Sequence, residues 1–216
     1  MSFLEDNKNI GLLLIIVGIM SILAPLILFM YDISTTYVVV LVVGGIIAGM
    51  IYIFSGLSVR DGTDDKLGIL PMFAGMIGLT ISHDNKVGTP ALMVMILGIT
   101  SLINGIFSLI AGAVLGAIGS GISSAVIGII IGIFFLIAAP IVAGNKKSSS
   151  GNVVWIILLI LIILGILGAL LTAFAGFFFA LYGLMMLILG ICLLLLFIYL
   201  LLRVLSPEIK KNMGVD

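Results

Sequence analysis

Four residues on one apolar stretch are the nearest this chain comes to a constellation that could do chemistry: Thr100, Ser101, Asn104 and Ser108. At about 100° per residue on a helix, Asn104, Ser108, Gly98, Gly105 and Gly112 all fall within about 60° of Ser101. One face is therefore both small and hydrogen-bonding. Such a face can line a route for water or a small uncharged solute. It can equally serve interhelical packing, where small residues admit a neighbouring backbone and hydroxyls and amides bond across the contact. Packing is the reading the spacing favours, and Asn104 is the residue that tests it.

The remaining polar groups sit outside the apolar runs. Arg60-Asp61-Gly62-Thr63-Asp64-Asp65-Lys66 gathers three carboxylates, but their spacing matches no calcium loop and cations flank them, so a solvated linker is expected. His83-Asp84 has the residue types of a metal pair or a pH-sensitive contact, with no further ligand nearby in sequence. Lys146-Lys147 and Lys210-Lys211 suit anionic headgroups or simply set topology. The single cysteine, Cys192, lies within an apolar run and offers neither an intrachain disulfide nor a thiolate cluster. No G-x-S-x-G, H-E-x-x-H or phosphate-binding loop is present. The expectation is no catalytic set, no metal, no cofactor and no enzyme.

The elements that hold these residues follow from composition. Of the residues, 63% are hydrophobic and 8% charged, with a mean hydropathy of +1.50, against roughly 45–50% and 25% in soluble domains. A net charge of zero gives no reason to expect nucleic acid as a partner. The chain is expected to be a single all-α domain over residues 1–216, a polytopic membrane helix bundle with the lipid bilayer as its surroundings. No Asp, Glu, Lys, Arg or His falls in the middle of an apolar run, which argues against proton relays and most ion-coupled carriers.

Residues 10–31 and 37–57 read as a first hairpin, 67–82 and 89–112 as a second, and 122–143 and 153–175 as a third. Residues 176–203 add a seventh span and 204–216 a polar tail. Breaks at Gly116, Gly119, Ser120 and Gly121 mark a reversal, since residues 89–143 would otherwise form a helix of about 80 Å. Glycines give the pattern its repeat: Gly11 and Gly18 return at Gly68 and Gly75, and the same 57-residue step reaches Ala125 and Gly132. Seven-residue spacing keeps two positions about 20° apart, so such pairs open a seam for a neighbouring backbone. Gly49 and Gly56, Gly98, Gly105 and Gly112, and Gly183 and Gly190 belong to the same expected set. With seven crossings, six basic residues share the side of the C-terminus against three on the other, which predicts a cytoplasmic C-terminus in the cell membrane and an external N-terminus.

Gly18-Ile-Met-Ser-Ile-Leu-Ala-Pro25 and Gly45-Ile-Ile-Ala-Gly49-Met-Ile-Tyr-Ile-Phe-Ser-Gly56, with Leu97-Gly98-Ile-Thr-Ser-Leu-Ile-Asn-Gly105-Ile-Phe-Ser-Leu109, resemble the hairpin unit of the HdeD-type acid-resistance membrane proteins over residues 10–171. That resemblance implies a stress-related membrane component and no catalytic residues. The first expectation is thus a non-enzymatic protein acting through helix contacts, as a homo-oligomer, an accessory subunit or a stress-related component. The alternative is a facilitator for a small uncharged solute lined by Thr100, Ser101, Asn104 and Ser108.

Overall fold

The computed structural model describes residues 3–27, 35–114, 118–147, 150–177 and 180–215. The chain is all-α: α1 Asn7–Ile27, α2 Thr35–Asp61, α3 Leu70–Ile77, α4 Gly88–Val114, α5 Ile118–Val142, α6 Gly151–Ala175, α7 Ala180–Val204 and α8 Pro207–Met213. Among the described residues six helices, all but α3 and α8, are long and apolar enough to cross a membrane. Asp32, the end of the first expected span and Gly116 in the expected reversal lie outside the described residues.

The third of seven expected spans is absent. Residues 67–82 hold only the eight-residue α3, about 12 Å long, well short of about 30 Å of hydrocarbon. Pro71 sits in its first turn, and Gly78, at φ +78°, takes the left-handed position that only glycine adopts freely. Gly78 N–H then donates to Gly75 and Leu79 N–H to Ala74, closing the carbonyl end after two turns. Leu70 and Ala74 are buried, while Ile69, Met72 and Met76 are 68%, 65% and 67% exposed, so α3 carries an uncovered apolar ridge.

Losing that span changes the pairing. The three close hairpins are α1–α2, α4–α5 and α6–α7, where the sequence suggested residues 67–112 and 122–175 as units. Helices α5 and α6 touch only slightly. The first hairpin lies at the centre, with α2 against α4 and α1 against α7, and α4 also meets α7. The polar tail folds as well: Ser206 caps α8, whose Ile209 and Met213 are fully buried.

Glycine seams build two of these hairpins. A Cβ on Gly11 would stand 2.5 Å from the Gly56 carbonyl oxygen, and one on Gly18 would stand 2.5 Å from that of Gly49. In the second hairpin Gly98 meets the Gly132 carbonyl at 3.0 Å and Gly105 that of Ala125 at 3.0 Å. The third hairpin closes where Gly176 meets Gly183 and Gly190 meets Ala173. Backbones approach this closely only where side chains are missing. Gly68 and Gly75 depart from the expectation: a Cβ on either meets nothing within 4 Å, Gly68 being a turn residue and Gly75 part of α3. Gly112 is buried on α4. The 57-residue step therefore does not mark the hairpins. Equivalent seam positions recur 87 residues on for the first helix (Gly11 to Gly98) and 76 for the second (Gly56 to Gly132).

All described charged residues gather at one end of the bundle, where α1, α4 and α6 begin and α2, α5 and α7 finish. Contacts knit that end together. Asn85 Nδ2 donates to the Glu5 carbonyl, Tyr199 Oη to Asn85 Oδ1 at 2.8 Å, and Asn212 Nδ2 to the Val142 carbonyl at 3.1 Å; Lys86 lies 3.7 Å from Glu208. Both chain ends are thus on one side of the bundle, not on opposite sides, and all nine Lys and Arg share it.

Candidate ligand cavity between the central helices

Helices α1, α2, α4 and α7 line a partly open cavity of about 360 Å³ in the half of the bundle away from the charged end. Its walls are mostly apolar, with Ala24 and Pro25 from α1, Gly45 and Ala48 from α2, and Met186 and Leu193 from α7. The volume suits a small ligand, and the composition, an apolar lining with few polar groups, is that of a binding pocket.

Four residues supply polarity: Ser21, Tyr52, Asn104 and Tyr182. Ser21 Oγ donates to the Val17 carbonyl at 2.8 Å, one turn back on its own helix. Thr100 Oγ1 likewise donates to the Ile96 carbonyl at 2.9 Å, so its 3.3 Å contact with Tyr52 Oη has the phenol as donor. This bond ties α2 to α4 at the cavity floor. Asn104, one turn further along α4, is exposed on the wall and makes no hydrogen bond among the described residues. A primary amide offers two donors and an acceptor, and in an apolar layer leaving them unmet is costly.

Below the floor the core is filled. Leu14, Leu92, Met95, Ile96 and Leu200 are fully buried, and the space beside Tyr52, Met93 and Leu196 amounts to about 10 Å³.

The polar face expected on α4 divides between two neighbours. Thr100 and Asn104 turn toward α2 and the cavity. The Ser101 backbone instead lies against α5, its carbonyl 3.0 Å from where a Gly128 Cβ would stand, and Ser108 is half-buried. Tyr52 and Ser21 escape a sequence reading because a lone Tyr or Ser within a span carries no periodic signal.

At the charged end His83 Nε2 lies 2.7 Å from Asp64 Oδ1 and 3.3 Å from Ser58 Oγ. The residue types are those of a hydrolase relay, but the arrangement differs. A relay sets the acid on one imidazole nitrogen and the nucleophile on the other, whereas here both meet Nε2 and Nδ1 is buried without a partner. Ser58 Oγ also donates to the Thr63 carbonyl at 2.5 Å. With Asn7 Nδ2 donating to the His83 carbonyl at 2.6 Å, the cluster is a latch joining α1, the end of α2 and the approach to α4. Asp84, the sequence neighbour of His83, turns away to accept from Lys86 and Val87 N–H at the start of α4. The other loop carboxylates disperse too, with Asp61 engaging Arg60 and Lys66. Among the described residues no three His, Cys, Asp or Glu side chains converge as metal ligands would.

Six long apolar helices, four of them lining a mostly apolar cavity, give the class: an all-α chain whose helices are compatible with a multi-pass membrane protein. Comparison with protein families, with curated proteins and with solved structures finds no match for the chain.

Proposed function

We propose that this chain is a non-enzymatic membrane protein that holds a small, mostly apolar molecule with one hydrogen-bonding group inside the bilayer. The observation that carries this reading is the Asn104 amide, unbonded on the wall of a cavity otherwise lined by apolar side chains and closed below by Tyr52 and Thr100. A bound hydroxyl or carbonyl would meet Asn104 while the rest of the molecule fills space beside Ala48 and Leu193. The closed floor favours retention over conduction, so binding ranks above a facilitator for an uncharged solute. The charged end is assigned to the cytoplasm, because all nine basic residues lie there; both termini are then cytoplasmic.

Native mass spectrometry of protein taken from its own membrane tests the reading. A bound molecule is expected on the wild type, lost from Ala48→Phe, which fills the cavity, and weakened in Asn104→Leu. An adduct spectrum identical across the three proteins overturns it.

The reading as an accessory subunit or oligomer draws support from α6, the least covered span, whose Gly168 has nothing within 4 Å of a notional Cβ. The glycines at the hairpin crossings, Gly11, Gly18, Gly49, Gly56, Gly98, Gly105 and Gly132, are occupied within the chain, whereas the Gly168 notch is open to a neighbour. A stress-related role for such an assembly rests on the HdeD-type resemblance alone.

A further inference from the structure

We infer that the charged end carries a built site for one anionic phospholipid, with its phosphate among Lys146, Lys147 and Lys211 and an acyl chain lying along α5. Two hollows meet there and share Lys147. The first, of about 310 Å³, lies between the loop after α5 and the end of α8 and is lined by Gly144, Met213 and Gly214 with the polar side chains of Lys147, Lys211 and Asn212. The second, of about 410 Å³, runs between α3 and α5 and is lined by Ile77, Ile133, Ile137 and Ile141, with Lys146 and Lys147 at its mouth. Ile133, Ile137 and Ile141 stand four residues apart on one face of α5, a strip roughly 12 Å long. A cationic head above an apolar strip on a membrane-facing helix is the complement of a phospholipid.

Charge at the site is unspent. Three of the described carboxylates at this end are engaged elsewhere: Asp61 with Arg60 and Lys66, Asp64 with His83, Glu208 with Lys86. Lys210 lies over the Trp155 ring at 5.3 Å. Among the described residues no carboxylate lies within 4.0 Å of Lys146, Lys147 or Lys211. The carbonyl ends of α5 and α8 also face this region, which disfavours an anion. Asn212 Nδ2 occupies the Val142 carbonyl, however, and the first turn of α6, packed on Met213, presents the opposite end of a helix.

Helix α3 gives the groove its second wall and its depth. The Lys146 stem passes 3.8 Å from a notional Gly78 Cβ, and Asn145 Oδ1 accepts from Thr80 N–H at 2.9 Å, fixing the segment after α3 to the lysine loop. The exposed Ile69, Met72 and Met76 continue the apolar surface outward, as on a helix lying in the headgroup boundary. This explains why a segment too short to cross is nonetheless so apolar.

The test reconstitutes the full chain in nanodiscs of phosphatidylglycerol with phosphatidylcholine and reads retained lipid by native mass spectrometry. Wild type is expected to retain phosphatidylglycerol over phosphatidylcholine. At roughly 1 kcal/mol per lysine near the surface, about fivefold each, the exposed-loop variant Lys146→Gln/Lys147→Gln loses about 30-fold of that preference. Ile137→Trp, which fills the groove without touching the lysines, is expected to lower retention of both lipids. Equal retention of the two lipids by wild type, or an unchanged preference in the double lysine variant, overturns the site. Full displacement of the lipid by inorganic phosphate, or retention unaffected by Ile137→Trp, overturns the seating of the chain. Neither readout involves the central cavity, so this site stands or falls apart from the function proposed there.

Discussion

Replacing Gly11 with alanine places a methyl group 2.5 Å from the Gly56 carbonyl oxygen, where ordinary contact begins near 3.4 Å. The first hairpin must open by up to about 0.9 Å at that crossing, or its neighbours must shift. Overpacking of this kind costs about 1–3 kcal/mol, and the gain in helix stability on removing a glycine returns about 0.5–1 kcal/mol. The net expectation for Gly11→Ala is roughly 0.5–2 kcal/mol of destabilisation. Gly56→Ala should match it, since its own Cβ would meet the Gly11 carbonyl at 2.6 Å. The two clashes face each other across one crossing, so one separation relieves both and the double variant should lose less than the sum. Gly11→Ala with Gly132→Ala, in different hairpins, should instead add to within about 0.5 kcal/mol. Gly75→Ala is the control: it shares the seven-residue signature but has an open Cβ position, and should be neutral or stabilising by up to about 1 kcal/mol. Reversible unfolding in mixed micelles, titrated with a denaturing detergent, reads these five variants and Gly132→Ala alone. Gly11→Ala as harmless as Gly75→Ala, or strict additivity for Gly11 with Gly56, would refute the seam.

Two further outcomes follow from the fold. In a Cys192→Ala background, single cysteines at Lys66, Lys86 and Lys147 should all label from one side of the membrane and one at Phe177 from the other; opposite labelling of Lys66 and Lys86 would mean that the chain crosses between them. Tyr52→Phe removes the bond to Thr100 and should cost about 0.6 kcal/mol in the same unfolding assay, whereas a loss above 2 kcal/mol would show that the phenol has a larger role than tying α2 to α4.

The class of the protein was legible in its composition, because six runs free of internal charge leave a helix as the backbone's only way to meet its hydrogen bonds in lipid. A seven-residue spacing fixes a common face on any helix, and in the structure Gly11 and Gly18 lie against Gly56 and Gly49, and Gly98 and Gly105 against Gly132 and Ala125. The same spacing at Gly68 and Gly75 misled. A face says nothing of length, and Pro71 and Gly78 end α3 after two turns. Once that segment fails to cross, every later helix changes partner and direction, and the basic residues move from a divided count to a single end. The cavity was beyond reach because its polar residues come from different helices: Ser21, Tyr52 and Asn104 share no period, and only the docking of α1, α2, α4 and α7 brings them together. Local spacing is a property of each helix alone, and which helices meet is settled by contacts between residues far apart in the chain.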